Sequence, residues 1–110
     1  MDVRRGDVVV VATRGAYTSK PRPALVVQAD LFNETHASMT ICPITSAMLD
    51  APLFRVALPP GPRTGLTAPS QVMVDKIVSV PRATVSRRIG QCGDEEMERV
   101  SDALRLWLDL

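Results

Sequence analysis

Lys20-Pro21-Arg22-Pro23-Ala24-Leu25-Val26-Val27-Gln28 sets an arginine between two prolines at the mouth of an apolar run. Pro21 has its φ fixed, and Pro23 drives the residue before it, Arg22, out of the helical region and into extended backbone. The stretch reads as a strand from about Arg22 to Gln28, with a guanidinium leaving a stiffened start. Before it, Gly6-Asp7 opens a second run, Val8-Val9-Val10-Val11-Ala12. Unbroken β-branched residues there predict a strand buried on both faces. After it, Asp30 to Ala37 is turn-like with a short helical turn, and Ser38 to Ile44 is a third strand. Pro43 near the end of that strand predicts an edge position or a bulge. Leu53 to Leu58 reads as a short strand, Thr64 to Thr67 as a brief one, and Val85 to Gln91 as the last. Ser70 to Val80 is the longest expected strand, and its apolar face changes parity at Asp75-Lys76, where a bulge or strong bend is predicted. Many short strands joined by Gly/Pro turns indicate a small barrel or sandwich.

From Gly93 the period changes. Met97, Val100, Leu104, Trp107 and Leu108 recur at helical spacing. Asp94, Glu95 and Glu96 fill a first turn, where negative charge suits the helix dipole, and Gly93 is the expected N-cap. Glu98, Arg99, Asp102 and Asp109 fall on the water-facing side, and Trp107 reads as a core or dimer-interface anchor. The expectation is one domain over residues 1–110, mainly β to about residue 92, with a C-terminal α-helix over about 93–110.

Composition narrows the classes of function. Aromatics make up 4% of the 110 residues, and valine is abundant, which leans toward β structure. No apolar run approaches ~18 residues and no secretory signal opens the chain, so a cytoplasmic protein without a membrane span is expected. Cys42 and Cys92 lack metal-ligand spacing and are expected to be reduced and buried. Net charge is +1, yet residues 1–92 hold 11 Lys/Arg against 6 Asp/Glu, while residues 93–110 hold 2 against 6. A basic body with an acidic tail suits a polyanionic partner.

The motifs that would announce a nucleotide, metal or acyl-transfer enzyme are missing, and no cofactor or metal is expected. His36, the one histidine, lies on the connection between the second and third strands. In an antiparallel hairpin that is the far end from Arg22, roughly 20 Å away, so His36 reads as a surface turn residue. The same hairpin brings Thr45 toward Arg22. The polar loop Thr13–Lys20 converges there too, giving a constellation of Arg22, Thr45, Ser46, Ser19 and Lys20. A planar guanidinium beside a hydroxyl matches a phosphate, and a nucleic-acid phosphodiester is the natural candidate. An ordinary salt-bridged arginine beside a strand-ending threonine is the other reading of the same spacing.

Gly6-Asp7-Val8, Arg22-Pro23-Ala24-Leu25-Val26-Val27-Gln28 and Cys42-Pro43-Ile44-Thr45-Ser46 resemble the MazF/PemK (Kid) toxins of bacterial type II toxin–antitoxin pairs. Leu66-Thr67-Ala68-Pro69-Ser70, Val74-Asp75-Lys76 and Gly93–Leu110 are similar, in order, to further segments of that family. The resemblance implies an SH3-like small β-barrel of the CcdB/PemK/MazF type with a C-terminal helix, acting as a homodimer. It implies a metal-independent, ribosome-independent endoribonuclease on single-stranded RNA, held in check by a small cognate antitoxin. The 2′-OH would attack phosphorus and leave a 2′,3′-cyclic phosphate and a 5′-OH, which explains a choice of RNA over DNA. By this resemblance Arg22 is the catalytic arginine, stabilising charge on phosphorus and shuttling a proton, and Thr45 the catalytic threonine, donating to a non-bridging oxygen. Ser19, Lys20, Ser46 and Lys76 would contact the RNA.

The chain departs from the family pattern in three places. The first loop reads Gly15-Ala16-Tyr17-Thr18-Ser19-Lys20 and lacks the glutamate that some members carry. Met73 stands two residues before Asp75, where one branch has arginine, and Lys76 replaces the usual glutamine after it. Two other classes stay open. A CcdB-like gyrase poison shares the fold but acts through a C-terminal Trp-Gly-Ile, whereas this chain ends Trp107-Leu108-Asp109-Leu110. A non-catalytic SH3-like binding module needs an aromatic groove, and Tyr17, Phe32, Phe54 and Trp107 are few and scattered.

Overall fold

The computed structural model describes residues 2–12 and 20–110. Seven strands and two helices follow in order: β1 (Asp7–Ala12), β2 (Pro21–Val26), α1 (Asp30–Asn33), β3 (Ser38–Thr45), β4 (Arg55–Leu58), β5 (Ser70–Met73), β6 (Val78–Pro81), β7 (Val85–Gln91) and α2 (Asp94–Leu108). Every pairing is antiparallel, in the order β4-β5-β3-β2-β1-β7, with β6 added to β3 beside β5. The sheet is barrel-like but open: among the described residues β4 pairs only with β5 and β7 only with β1. The molecule is thus mainly β with a C-terminal helix.

The valine run explains the architecture. Side chains alternate between faces along a strand, and both faces of β1 meet a core. Val8 joins Leu25, Cys42, Ile44, Leu58, Val72 and Val100 on the face that α2 covers. Val9 and Val11 join Ala24, Val26, Met39, Ile41 and Val85 on the other. The expected two-sided burial is therefore found.

Three expectations change. Pro43 is in neither an edge strand nor a bulge, because β3 is central. It faces Ala24 of β2 on one side. On the other side β6 pairs as far as Ile41 and β5 begins at Ile44. Pro43 falls in the gap between those two partners, where a missing N–H leaves no ladder carbonyl waiting. The long strand Ser70–Val80 is broken at the predicted bend. A 3-10 turn at Val74–Lys76 separates β5 from β6, and the eight-residue β3 is longer than either. Thr64–Thr67 forms a tight turn rather than a strand. Gly65 N donates to Gly61 O at 2.8 Å, and Gly61 N to Leu66 O at 3.0 Å. Thr64 is buried with its Oγ1 donating to Pro59 O at 2.7 Å.

Helix α2 begins at the expected cap. Gly93 N donates to Glu96 Oε1 at 2.7 Å, satisfying one of the amides that a helix start leaves open. Val100 and Ala103 are buried, Met97 and Leu104 pack at the margin of the core, and Trp107 lies against Phe54 with ring centroids 5.7 Å apart. Trp107 stays 49% exposed within one chain. Cys42 and Cys92 are both free thiols, the first buried and the second partly so. Burial, with Asp75 nearby, pushes the Cys42 thiol up to about 12. Cys92 is likewise at about 12, from burial and then the Glu96 charge.

Glu96 ties α2 to the turn before β5. Arg63 grips it with two nitrogens, at 2.7 and 3.2 Å. Burial alone would raise the Glu96 carboxyl, but the hydrogen bonds from Arg63 and Gly93 N outweigh it and hold the group below its ordinary 4.5. A depressed folded-state pKa stabilises at pH values above the ordinary one and ceases to do so as pH falls through the folded value. Glu96→Gln is therefore expected to cost about 2 kcal/mol at neutral pH and to flatten the acid limb of stability. Urea denaturation at pH 7 and pH 3 measures both; equal losses at the two pH values would contradict the assignment.

Candidate active site

Arg22 is the second residue of β2 and is exposed, between Pro21 opposite Ala12 and Pro23 opposite Val10. Among the described residues its guanidinium has no ion pair or side-chain hydrogen bond. An arginine fixed at the backbone and unpaired at its head group is available to an outside anion. Thr45 closes β3. The β2–β3 pairing runs as far as Ala24 opposite Pro43, which leaves Arg22 and Thr45 two residues beyond it, at the same end of the two strands.

Both line one cleft of about 180 Å³. Pro23, Ile44 and Ser46 complete the strand side, and Leu66, Thr67, Ala68 and Ser70 form the facing wall. That wall is held by its own bonds: Ser70 Oγ donates to Ala68 O at 2.9 Å, and Leu66 N to Thr64 Oγ1 at 3.3 Å. The Thr45 hydroxyl oxygen accepts from Ala47 N at 3.0 Å. A hydroxyl has one proton and two lone pairs, so this bond occupies a lone pair and leaves the proton for a ligand in the cleft. Guanidinium and hydroxyl together can neutralise and hydrogen-bond the oxygens of a phosphoryl group.

Part of the expected constellation lies together in the fold. Arg22, Thr45 and Ser46 come together, and Lys20 lies exposed two residues before Arg22. Ser19 and the rest of the loop at 13–19 lie outside the described residues. Lys76 is exposed on the 3-10 turn after β5 and is not part of the cleft lining. His36 is exposed between α1 and β3, its carbonyl accepting from Arg82 Nε at 3.0 Å. The facing wall was not assigned to the site from sequence. The signal for it was the turn chemistry of Gly65-Leu66-Thr67-Ala68-Pro69, which returns the chain to β5 beside Thr45. Larger hollows lie elsewhere, one of about 490 Å³ between β4 and α2 and one of about 630 Å³ beside Arg63 and Arg88, and neither contains Arg22 or Thr45. Among the described residues no three His, Cys, Asp or Glu side chains gather as a ligand set, and no helix is long and apolar enough to cross a membrane.

Residues 4–108 match the family described as the PemK-like, MazF-like toxin of type II toxin–antitoxin systems. The chain belongs to this family. A Mycolicibacterium smegmatis protein named "Probable endoribonuclease MazF" is 44% identical, over 98% of both chains. "Endoribonuclease MazF9" of Mycobacterium tuberculosis is 31% identical, again over 98% of both. Among solved structures, a MazE-MazF crystal structure from Deinococcus radiodurans superposes with a TM-score of 0.85 at 23% identity, covering 100% of this chain and 99% of that one. The Mycobacterium tuberculosis toxin MazF-mt6 gives 0.81 at 21% identity, covering 94% and 97%. The open sheet with its closing helix is therefore the MazF fold, and the Arg22–Thr45 cleft is a feature of a MazF/PemK-like chain.

Proposed function

We propose that this MazF/PemK-like chain is the toxin of a type II toxin–antitoxin pair, a sequence-specific endoribonuclease acting on single-stranded RNA. The observation that carries the reading is the proline-stiffened Arg22, without an ion pair among the described residues, lining one cleft with Thr45. The relative at 44% identity is itself named an endoribonuclease. The reaction needs no metal-bound water as nucleophile, because that role falls to the substrate's own 2′-OH, and it acts on free RNA without the ribosome. That oxygen gives up its proton as it attacks the adjacent phosphorus, and the bond to the 5′-oxygen of the next nucleotide breaks. A 2′,3′-cyclic phosphate remains, and the departing oxygen takes up a proton as a 5′-OH. Arg22 stabilises the charge that builds on the equatorial oxygens, and Thr45 donates to one of them. Arg22 contributes positive charge and the donors of a planar fork. Ser19, Lys20, Ser46 and Lys76 contact the RNA on either side of the scissile phosphate.

One domain over residues 1–110 carries the activity, as a homodimer in the cytoplasm, where its substrate mRNA is. The partner that silences it is a small acidic antitoxin whose tail covers the basic site. Solved structures of MazE-MazF from Deinococcus radiodurans and of a mycobacterial endoribonuclease in complex with its cognate antitoxin support a protein partner of this kind. Purified protein is expected to cut an unstructured RNA in EDTA, leaving 5′-OH ends that polynucleotide kinase labels directly, with no prior phosphatase treatment. The matching DNA should stay intact. Cleavage that EDTA abolishes, or DNA cut as readily as RNA, would overturn the mechanism.

A further inference from the structure

Thr45 does not hold its own hydroxyl in place; the segment after it does, and that segment is tied down from two neighbouring strands. Gln71 of β5 is the register partner of Thr45 on one side and of Ala57 on the other. Its side-chain amide reaches the loop after β3 and bonds Leu49 with both arms. Leu49 N donates to Gln71 Oε1 at 3.0 Å, and Gln71 Nε2 donates to Leu49 O at 3.0 Å. The pattern is that of a strand partner supplied by a side chain. Arg55 of β4 completes it. Its Nη1 donates to Gln71 Oε1 at 3.0 Å and to Ala47 O at 3.2 Å. Ala47 is the residue whose N–H occupies the Thr45 hydroxyl oxygen.

We propose that Gln71 and Arg55 are positioning residues for Thr45, fixing Ala47 so that its N–H fills one lone pair of the Thr45 hydroxyl and turns the proton into the cleft. The inference rests on the reading of Thr45 as a phosphate donor and adds the device that aims it. The bonding shows a preference for this arrangement over simpler ones. Arg55 Nε is buried without a hydrogen-bond acceptor among the described residues, a costly state for a charged group's donor. Arg55 nevertheless places Nη1 where the two acceptors meet. The loop gains little from burial in return, since Met48 and Leu49 are half exposed. Bonds spent on holding an exposed loop serve geometry at the residue it borders. Misplacing a reacting group by an ångström costs on the order of 10²-fold in rate.

The test is a double-mutant cycle in the full-length protein, with cleavage of a single-site RNA followed to low residual rates. Gln71→Met removes all three amide bonds while keeping the side chain's length. It is expected to lower kcat about tenfold or more with KM within about twofold, and to shift the melting temperature by no more than about 3 °C. Gln71→Glu keeps the oxygen that accepts from Arg55 and Leu49 N and should retain kcat within about threefold. In a Thr45→Ala background Gln71→Met should add no further loss, because residues that act as one unit are not additive. A wild-type rate in Gln71→Met, equal losses in Gln71→Met and Gln71→Glu, or the same loss with and without Thr45 would each overturn the proposal. Wild-type cleavage by Thr45→Ala alone would instead overturn the reading of the site on which it rests.

Discussion

Arg22→Ala is expected to eliminate RNA cleavage and to leave the fold in place. The expected loss in kcat is about 10³-fold or more, the scale on which a preorganised charge at a developing oxyanion acts. The substitution removes no ion pair or side-chain hydrogen bond among the described residues, and the residue is exposed. Stability should stay within about 0.5 kcal/mol of wild type, as at surface positions generally. Arg22→Lys separates charge from geometry. A lysine at 22 keeps one positive charge but not the planar fork that spans two phosphoryl oxygens, so most of the loss should remain. Cleavage rates on a defined RNA, read beside circular dichroism melts, decide the matter. Full activity in Arg22→Ala would remove this arginine from the mechanism.

Gly90→Ala is expected to have the opposite profile, with the fold as its casualty. A Cβ at residue 90 would stand 2.3 Å from the Thr64 carbonyl carbon and 2.4 Å from Arg63 O, both backbone atoms that cannot rotate away. The contact is mutual, since a Cβ on Gly65, at φ +73°, would meet Ile89 O at 2.1 Å. Two glycines therefore let the turn at 61–66 lie directly on β7, where Gln91 N donates to Arg63 O at 2.8 Å. Separating these backbones should cost about 3 kcal/mol or more, visible as an early urea midpoint. Residual activity should fall as well, because the same turn leads into Leu66, Thr67 and Ala68, the far wall of the cleft. A variant with unchanged stability would show that the turn can lift from β7 without loss.

Much of the scaffold could be read from residue order. The valine run, the proline-bounded second strand and the helical period after Gly93 each rest on local preferences that packing did not overrule. Arg22 and Thr45 were brought together by one assumption, an antiparallel hairpin between the second and third strands, and β2 and β3 pair in that way. Pro43 was misplaced because a proline reports only that its own N–H is not required. Whether a strand lacks a partner altogether, or changes partner at that residue, depends on distant segments. The parity change at Asp75-Lys76 marked the bend but could not distinguish a bulge from a 3-10 turn. The Gln71–Arg55 lock had no local signature at all. A glutamine that imitates a strand partner becomes visible only once three strands and a loop are set beside one another.

The four valines of β1 carry no polarity to distinguish one alignment from the next. Because both faces of the strand are buried, a shift of one place would exchange the two cores' contributors at little loss of apolar burial. The alignment must therefore be chosen at the ends. Asp7 accepts from Arg4 N at 2.8 Å and pairs with Arg88 Nε at 3.1 Å. Gly6 bonds Val26 O through its N–H and Cys92 N through its carbonyl, each at 2.8 Å. At the other end Pro21 and Pro23 have no N–H to give, so β1 carbonyls can be satisfied only in alignments that ask nothing of them. The prolines that stiffen Arg22 thus also work as a vernier, locking a strand that could otherwise slide and bringing the same guanidinium to the same cleft in every folded copy.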